Sequence, residues 1–383
     1  MSDIHLRYGV IGTGMMGVEH ILNIHALENT SVTAICDTYE GSRQAGRDAA
    51  GPDTNVYEDY RDLLADESVD VVVIVTPNFT HFDVMRDVIA SGKHVLCEKP
   101  LCIAAEQCQT LIAESRGYDG VIWVGLEYRY MPAVGALINE VRGGYVGDPK
   151  MVAIREHRFP FLVKVGDWNR FSANTGGTLV EKTCHYFDLM NLILDERPSQ
   201  VFASGAQDVN HLDEVYNGER SDILDNAFVI IDYPSGKRAL LDLCMFAEAT
   251  RDQEELSVVG DKGKLDARIP TSELHLGTRS GEGFPDIGQV ETREISNSAI
   301  KHEGLHHGAS YLEHVDVAAA VRAHRAAGGG AAGAAAVEAL GTLVSLEDGL
   351  WSVAMGEAAH RSIAENRPVS LNEILTGMVA ESA

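Results

Sequence analysis

A glycine-punctuated turn close to the start of the chain, Gly12-Thr13-Gly14-Met15-Met16-Gly17, constrains the fold more than any other stretch. It follows an apolar run over residues 6–12 that reads as a buried strand, and it opens a segment, 14–28, with helical spacing. A G-x-G-x-x-G alone carries little information. Between a strand and a helix it is the turn that cradles a dinucleotide pyrophosphate. Gly12 permits the tight turn, Gly14 lets the backbone approach the anion, and Gly17 lets helix and strand pack closely. The helix N-terminus then presents unsatisfied N–H groups to the phosphates. Met15 and Met16 fill the rest of the turn and join it as predicted cofactor contacts. Asp37 stands twenty residues beyond Gly17, at the end of the next strand, 31–36. A carboxylate there accepts hydrogen bonds from both ribose hydroxyls and repels a 2′-phosphate, so NAD is expected rather than NADP. Arg43, six residues on, reads as a solvated helix charge.

The strand–helix alternation continues. A β-rich run at 69–75 is stopped by Thr76-Pro77-Asn78, helical spacing follows over 81–91, and short strands follow at 94–97 and 121–126. Apolar runs of this length between helices are what a parallel sheet covered on both faces requires. After about residue 148 the texture changes. Strands at 150–159, 200–207, 227–233, 238–246, 254–259 and 264–269 alternate with period two, and Pro234-Ser235-Gly236-Lys237 and Gly260-Asp261-Lys262-Gly263 read as hairpin turns. One helix, 177–194, interrupts them, and two more, 309–326 and 335–365, finish the chain. Between those two, RAAGGGAAGAAAVE reads as a flexible surface connection leading into a helix. The expected fold class is α/β. A doubly wound parallel sheet of the Rossmann kind occupies residues 1–148. An α+β domain with a large, mostly antiparallel open sheet occupies 149–383, its last helices packing back on the first domain.

Composition limits the partners. With 31 Lys+Arg against 57 Asp+Glu the formal net charge is −26, which repels phosphate backbones and anionic membrane surfaces alike. The six cysteines make no C-x-x-C pair, as expected of reduced thiols. No apolar run approaches a membrane span, and the first residues lack the pattern of a signal peptide, so a cytoplasmic protein is expected. A neutral small molecule suits this charge better than an anionic one.

Cys97-Glu98-Lys99-Pro100-Leu101 closes a predicted strand, where parallel sheets bind ligands. A lysine held there near a nicotinamide would donate to a substrate hydroxyl. In order along the chain, the glycine turn, Thr76-Pro77-Asn78 with His81, Glu98-Lys99-Pro100, GLEYRYMP at 125–132 and a later G-G-x₇-H helix resemble the Gfo/Idh/MocA family of sugar and cyclitol dehydrogenases. The resemblance spans essentially the whole chain. It implies a Rossmann domain, an α/β domain whose open sheet mediates homodimers or homotetramers, and NAD(P)-dependent oxidation of a secondary hydroxyl. It also implies cofactor contacts at Thr76, Pro77, Asn78, His81, Glu98, Lys99 and Glu127, and a substrate contact at Tyr128. The family's motif lysine falls on Lys99 and its catalytic histidine on His185. Where the family usually has Asp, four residues before that histidine, this chain has Glu181, followed by the unusual Lys182. On one continuous helix Glu181 and His185 share a face. His185 would then take the hydroxyl proton while Lys99 polarises the oxygen or relays the proton.

The segment from Arg155 to Arg170 mixes hydrogen-bonding groups with an indole, the composition expected around polyhydroxylated rings, and His157 and Trp168 are its predicted substrate contacts. His302-Glu303-Gly304-Leu305-His306 matches the H-E-x-x-H zinc pattern, but Gly304 and Gly308 make it poor helix and no metal is expected. His306 or His307 is expected to reach the substrate instead. Two other readings stay open at this stage: an NAD-dependent glycoside hydrolase that oxidises transiently, and a non-catalytic dinucleotide sensor.

Overall fold

The computed structural model describes residues 4–281 and 287–375. From the N-terminus the elements are β1 (Leu6–Ile11), α1 (Met15–Ala26), β2 (Thr30–Cys36), α2 (Glu40–Ala50), β3 (Asn55–Tyr57), α3 (Tyr60–Ala65) and β4 (Val71–Ile74). Next come α4 (His81–Ser91), β5 (His94–Glu98), α5 (Ala105–Glu114), β6 (Ile122–Gly125), α6 (Pro132–Arg142) and β7 (Pro149–His157). Three helices follow, α7 (Ser172–Thr175), α8 (Thr178–Glu181) and α9 (Cys184–Leu194). The strands β8 (Gln200–Ala206), β9 (Val215–Tyr216), β10 (Glu219–Arg220), β11 (Asn226–Asp232) and β12 (Arg238–Cys244) lead to β13 (Glu254–Gly260), β14 (Gly263–Ile269), β15 (Glu273–Thr278) and β16 (Gln289–Glu294). The chain closes with α10 (Ala309–Ala326), α11 (Gly330–Glu338), α12 (Leu346–Glu365) and β17 (Val369–Ser370). These elements form two compact units, neither continuous in sequence: Met1–Glu127 with Ala299–Leu350, and Tyr128–Ser298 with Trp351–Ala383.

In the first unit six parallel strands run in the order β3-β2-β1-β4-β5-β6, the doubly wound arrangement with its switch point between β1 and β4. β4, all Val and Ile, is buried along its whole length, as a strand covered on both faces must be. α10 completes this unit from the far end of the sequence. Its Glu313 accepts the indole N–H of Trp123 at 3.2 Å, and its Arg325 pairs with Asp70 at 2.9 Å.

In the second unit the sheet order is β16-β15-β14-β13-β7-β12-β11-β8-β17. β7 and β12 pair in parallel and the other described neighbours are antiparallel, so the open, mostly antiparallel sheet is present as expected. Period-two burial leaves one face covered and the other open, with Met151, Phe228, Ile230 and Leu240 exposed on it.

Three sequence expectations are corrected. The helix over 177–194 is broken at Lys182-Thr183, because the Thr183 hydroxyl donates to the Leu179 carbonyl at 2.7 Å and competes with the backbone ladder. The helix over 335–365 is two helices, separated by a turn in which Gly341 takes φ 68° and Ser345 and Asp348 bond each other's backbone. The Gly/Ala run is a connection only over 327–329: from Gly330 it is α11 itself, with Gly333 packed so closely on His324 that a Cβ would lie 2.6 Å from the ring. β15 and β16, unforeseen, extend the sheet at one edge.

Candidate active site

The three glycines of the Gly12–Gly17 turn do three different jobs. A Cβ at Gly12, where φ is 93°, would lie 2.5 Å from the Val75 carbonyl oxygen, so only glycine lets β1 turn beside the end of β4. A Cβ at Gly17 would lie 2.0 Å from the Gly12 oxygen, so α1 sits on its own entry turn. At Gly14 no atom lies within 4 Å of that position, leaving open space in front of the α1 N-terminus where an anion is favoured. Met15, half exposed, borders this space. Asp37 is oriented by the turn: its two carboxylate oxygens accept the N–H groups of Thr13 and Tyr39, both at 2.8 Å. Arg43 donates to the carbonyls of Asp37 and Thr38 and pairs with Glu58 at 2.7 Å, which braces the loop below Asp37. Asn78 is buried, and its Nδ2 has no hydrogen-bond partner among the described residues. The open cradle, the oriented carboxylate and this orphaned donor fit a dinucleotide.

Behind the cradle lies a buried polar scaffold. His81 links the Thr76 carbonyl at 2.9 Å to the Pro100 carbonyl at 2.8 Å, tying together the loops after β4 and β5 that carry Pro77 and Lys99. Burial pushes its imidazole down, against the opposing pull of the two carbonyls. Glu98 accepts from His20 on α1 at 2.9 Å and from the Lys99 N–H at 3.1 Å; His20 in turn meets His314 on α10 at 2.8 Å. Glu127, at the end of β6, is buried against His306 at 2.9 Å and also accepts the Ser310 hydroxyl. Burial alone would raise this carboxyl, but the His306 imidazole and the Ser310 hydroxyl overcome it and hold the group at about 2. His302 faces a different carboxylate, Glu19, at 3.4 Å. The two histidines of the H-E-x-x-H run therefore diverge, on a short 3₁₀ turn rather than a helix.

The second unit holds the histidine. His185 at the start of α9 is 1% exposed, and the Tyr128 ring stacks on it with centroids 3.9 Å apart and planes 4° from parallel. Lys182 donates to the Tyr128 hydroxyl at 2.7 Å and pairs with Glu156 of β7 at 2.9 Å. Arg158 reaches the same Glu156 oxygen at 3.1 Å. Arg129 clamps Asp188 with both arms of its guanidinium, joining α9 to the segment that carries Tyr128. The start of α8 is capped from the other end of the unit: the Leu179 N–H donates to His360 at 3.0 Å, and Gly177 makes room for that ring. Burial pushes His360 down to about 4, in keeping with a neutral acceptor. Glu181 is buried one turn before His185, but the break between α8 and α9 means the two are not on one continuous helix face.

His157 leaves this group. It follows Glu156 on β7, so it points to the opposite, open face of the sheet, where it meets Asp242 at 3.1 Å. Trp168 lies half-buried in a short irregular turn, and its carbonyl anchors Asn174 at 3.0 Å. Glu156 is the residue that sequence reasoning overlooked, and Lys182, though singled out as unusual, had no partner assigned to it. The signal was present: Val152, Ile154 and Glu156 form one period-two row, and a carboxylate in an apolar row demands a partner.

Glu254 stands directly opposite Glu156 across the β13–β7 ladder. Burial, then the Glu156 charge, push its carboxyl up to about 7. A raised carboxyl stabilises the fold while protonated, and that contribution is lost as pH rises through about 7. Glu254→Gln should therefore gain roughly 1–3 kcal/mol on wild type between pH 5 and pH 8.5. Urea unfolding at both pH values measures it, and parallel pH dependence of the two proteins would refute the assignment.

Two family models cover the chain. Residues 6–126 match the oxidoreductase family's NAD-binding Rossmann fold, and residues 138–371 match that family's C-terminal alpha/beta domain. Myo-inositol 2-dehydrogenase of Thermotoga maritima is 29% identical over 262 residues, covering 68% of this chain and 74% of its own. Inositol 2-dehydrogenase of Rhizobium meliloti is 26% identical over 369 residues, covering 96% and 99%. Among solved structures, levoglucosan dehydrogenase in complex with NADH and levoglucosan superposes with a TM-score of 0.76 at 19% identity, over 96% of this chain and 99% of that one. With both family domains matched in order on an NAD-binding Rossmann unit and an open-sheet unit, the chain belongs to the Gfo/Idh/MocA oxidoreductase family.

Proposed function

We propose that the protein oxidises a secondary hydroxyl of a neutral sugar, glycoside or inositol-like polyol to a ketone, in the cytoplasm. The observation that carries this reading is the buried, ring-stacked His185 in a chain whose other unit is an NAD-binding Rossmann domain. The likeness of nearly the whole chain to an inositol 2-dehydrogenase supports the substrate class. Bound NAD supplies a hydride acceptor. Gly12, Gly14, Met15, Met16 and Gly17 shape the cradle for its pyrophosphate. Asp37 takes the ribose hydroxyls and disfavours a 2′-phosphate. Thr76, Pro77 and Asn78 border the cofactor, and Glu98 and Glu127 hold that border from beneath.

His185 accepts the hydroxyl proton, a task an imidazole performs near neutral pH. Lys99 donates to the same oxygen and stabilises the negative charge that grows there. Glu181 and Trp168 orient the remaining hydroxyls and the ring face, and Tyr128 and His306 complete the set. The open sheet face with Met151, Phe228, Ile230 and Leu240 is where a second copy of the chain binds, giving a homodimer or homotetramer. Light scattering should report a multiple of the chain mass, which Phe228→Asp with Ile230→Asp reduces; a monomeric wild type would refute this.

The deciding measurement is absorbance at the NADH band with NAD and a panel of free sugars, inositols and glycosides. Steady NADH formation on at least one polyol is expected. Aglycone release without NADH, or no turnover across the panel, would overturn the dehydrogenase reading.

A further inference from the structure

The break between α8 and α9 has a chemical counterpart. Thr183 bonds back to Leu179, and Lys182, the residue just before it, is the last to keep the helical i→i−4 bond of α8, to the Thr178 carbonyl at 2.9 Å. It is 5% exposed, and its ammonium meets Glu156, which is fully buried, and Tyr128, which is 3% exposed. Burying an ammonium and a carboxylate costs several kcal/mol in desolvation, which their mutual attraction offsets only in good geometry. Apolar side chains of similar volume would hold α9 on β7 at least as well. A buried pair at this position, with Glu156 Oε2 lacking a hydrogen-bond partner among the described residues, therefore needs an explanation other than stability.

The contacts run in series toward His185. Arg158 and Lys182 converge on one oxygen of Glu156, at 3.1 and 2.9 Å. Across the ladder Glu254 is the carboxyl pushed up to about 7, so the pair does not place two fixed negative charges side by side. Lys182 in turn holds the Tyr128 oxygen at 2.7 Å. Its nitrogen lies 5.0 Å from the Tyr128 ring centroid because it sits beyond the hydroxyl, not over the ring face, which leaves that face to the imidazole. The two rings are 4° from parallel. Rotation of an imidazole about its Cβ–Cγ bond is soft, with broad minima. A flat aromatic partner in contact restricts it.

We propose that Lys182, seated on Glu156, is a positioning residue for proton transfer at His185: it pins the Tyr128 phenol, and the pinned ring sets the plane of the imidazole. This rests on His185 being the base in the function proposed above. Lys182 does not touch the substrate; it acts through Tyr128. The unusual lysine after Glu181 is thereby given a task, and the aromatic residue at 128 is the part it acts on.

The test uses the full-length protein with histidine carrying ¹³C and ¹⁵N, the His185 signal being assigned with His185→Gln. In wild type the stacked phenol shifts the imidazole protons upfield. Lys182→Met alone leaves the buried Glu156 to Arg158 only and can fail to fold, so the main variant is Lys182→Met with Glu156→Gln, checked by thermal unfolding. Its His185 upfield shift should fall by more than half. With a polyol from the panel its kcat should drop about 10²-fold, the cost of a small misplacement, with KM for NAD unchanged. Tyr128→Phe, which keeps the ring and removes the tether, should lose about tenfold in kcat, and Lys182→Arg should recover part of the loss. A folded double variant that keeps the wild-type shift, or a kcat within about threefold of wild type, overturns the proposal. If the wild type oxidises no polyol, the functional reading fails, while the shift in the protein without NAD still decides the positioning.

Discussion

His185→Ala lowers kcat for polyol oxidation by about 10³- to 10⁴-fold, and Lys99→Met by about 10²- to 10³-fold, while the Kd for NAD changes by less than about threefold. The difference follows from the tasks assigned. Without the imidazole the hydroxyl proton loses the acceptor proposed for it, whereas without Lys99 the oxygen loses one donor among several dipoles. Neither residue belongs to the glycine cradle, so binding measured by quenching of intrinsic fluorescence or by calorimetry should be spared. The double variant should lose little more than His185→Ala alone, since groups acting in one step are not additive. A rate within tenfold of wild type for either single variant, in folded protein, would sink the role given to it.

The second large effect separates folding from binding within one turn. Gly17→Ala places a carbon 2.0 Å from the Gly12 carbonyl oxygen, a backbone atom that cannot move without shifting β1. A cost of about 3 kcal/mol or more is expected, which lowers Tm by about 10 °C. Gly14→Ala meets no atom within 4 Å and should leave Tm within about 2 °C. It nevertheless narrows the approach of the pyrophosphate to the backbone, so NAD binding should weaken at least tenfold. Scanning calorimetry with and without NAD reads both. Equal Tm for the two variants would contradict the division of labour among these glycines.

What was legible in the sequence was local. The strand–turn–helix at Gly12–Gly17, the β-rich run of β4 and the helix His81–Ser91 each carry their own periodicity and punctuation, and the structure reproduces them to within two residues. α10 was equally legible as a helix, but not its partner: His314 meets His20 across 294 residues, which no pattern within a window can register. The break after Lys182 depends on where the Thr183 hydroxyl goes, and the start of α8 is capped by His360 from much later in the chain. Glu156 and His157 show how far one residue matters. Both fell inside the expected strand over 150–159 as well as the polar segment 155–170, and it is the strand pleat that sends one to Lys182 and the other to Asp242. The net charge of −26 bounded the partners without locating any site.

The interrupted path of the chain has a consequence for how it is made. The Rossmann unit begins at the N-terminus but lacks α10 until residue 326 has been synthesised, with most of the other unit made in between. At ordinary elongation rates of roughly 5–20 residues per second, the sheet waits about ten seconds or more for the helix that carries Glu313 and Arg325. During that interval Trp123 and Asp70 face water or a chaperone in place of their partners. Completion of the cofactor unit therefore waits for α10, although its defining glycines emerge long before that helix.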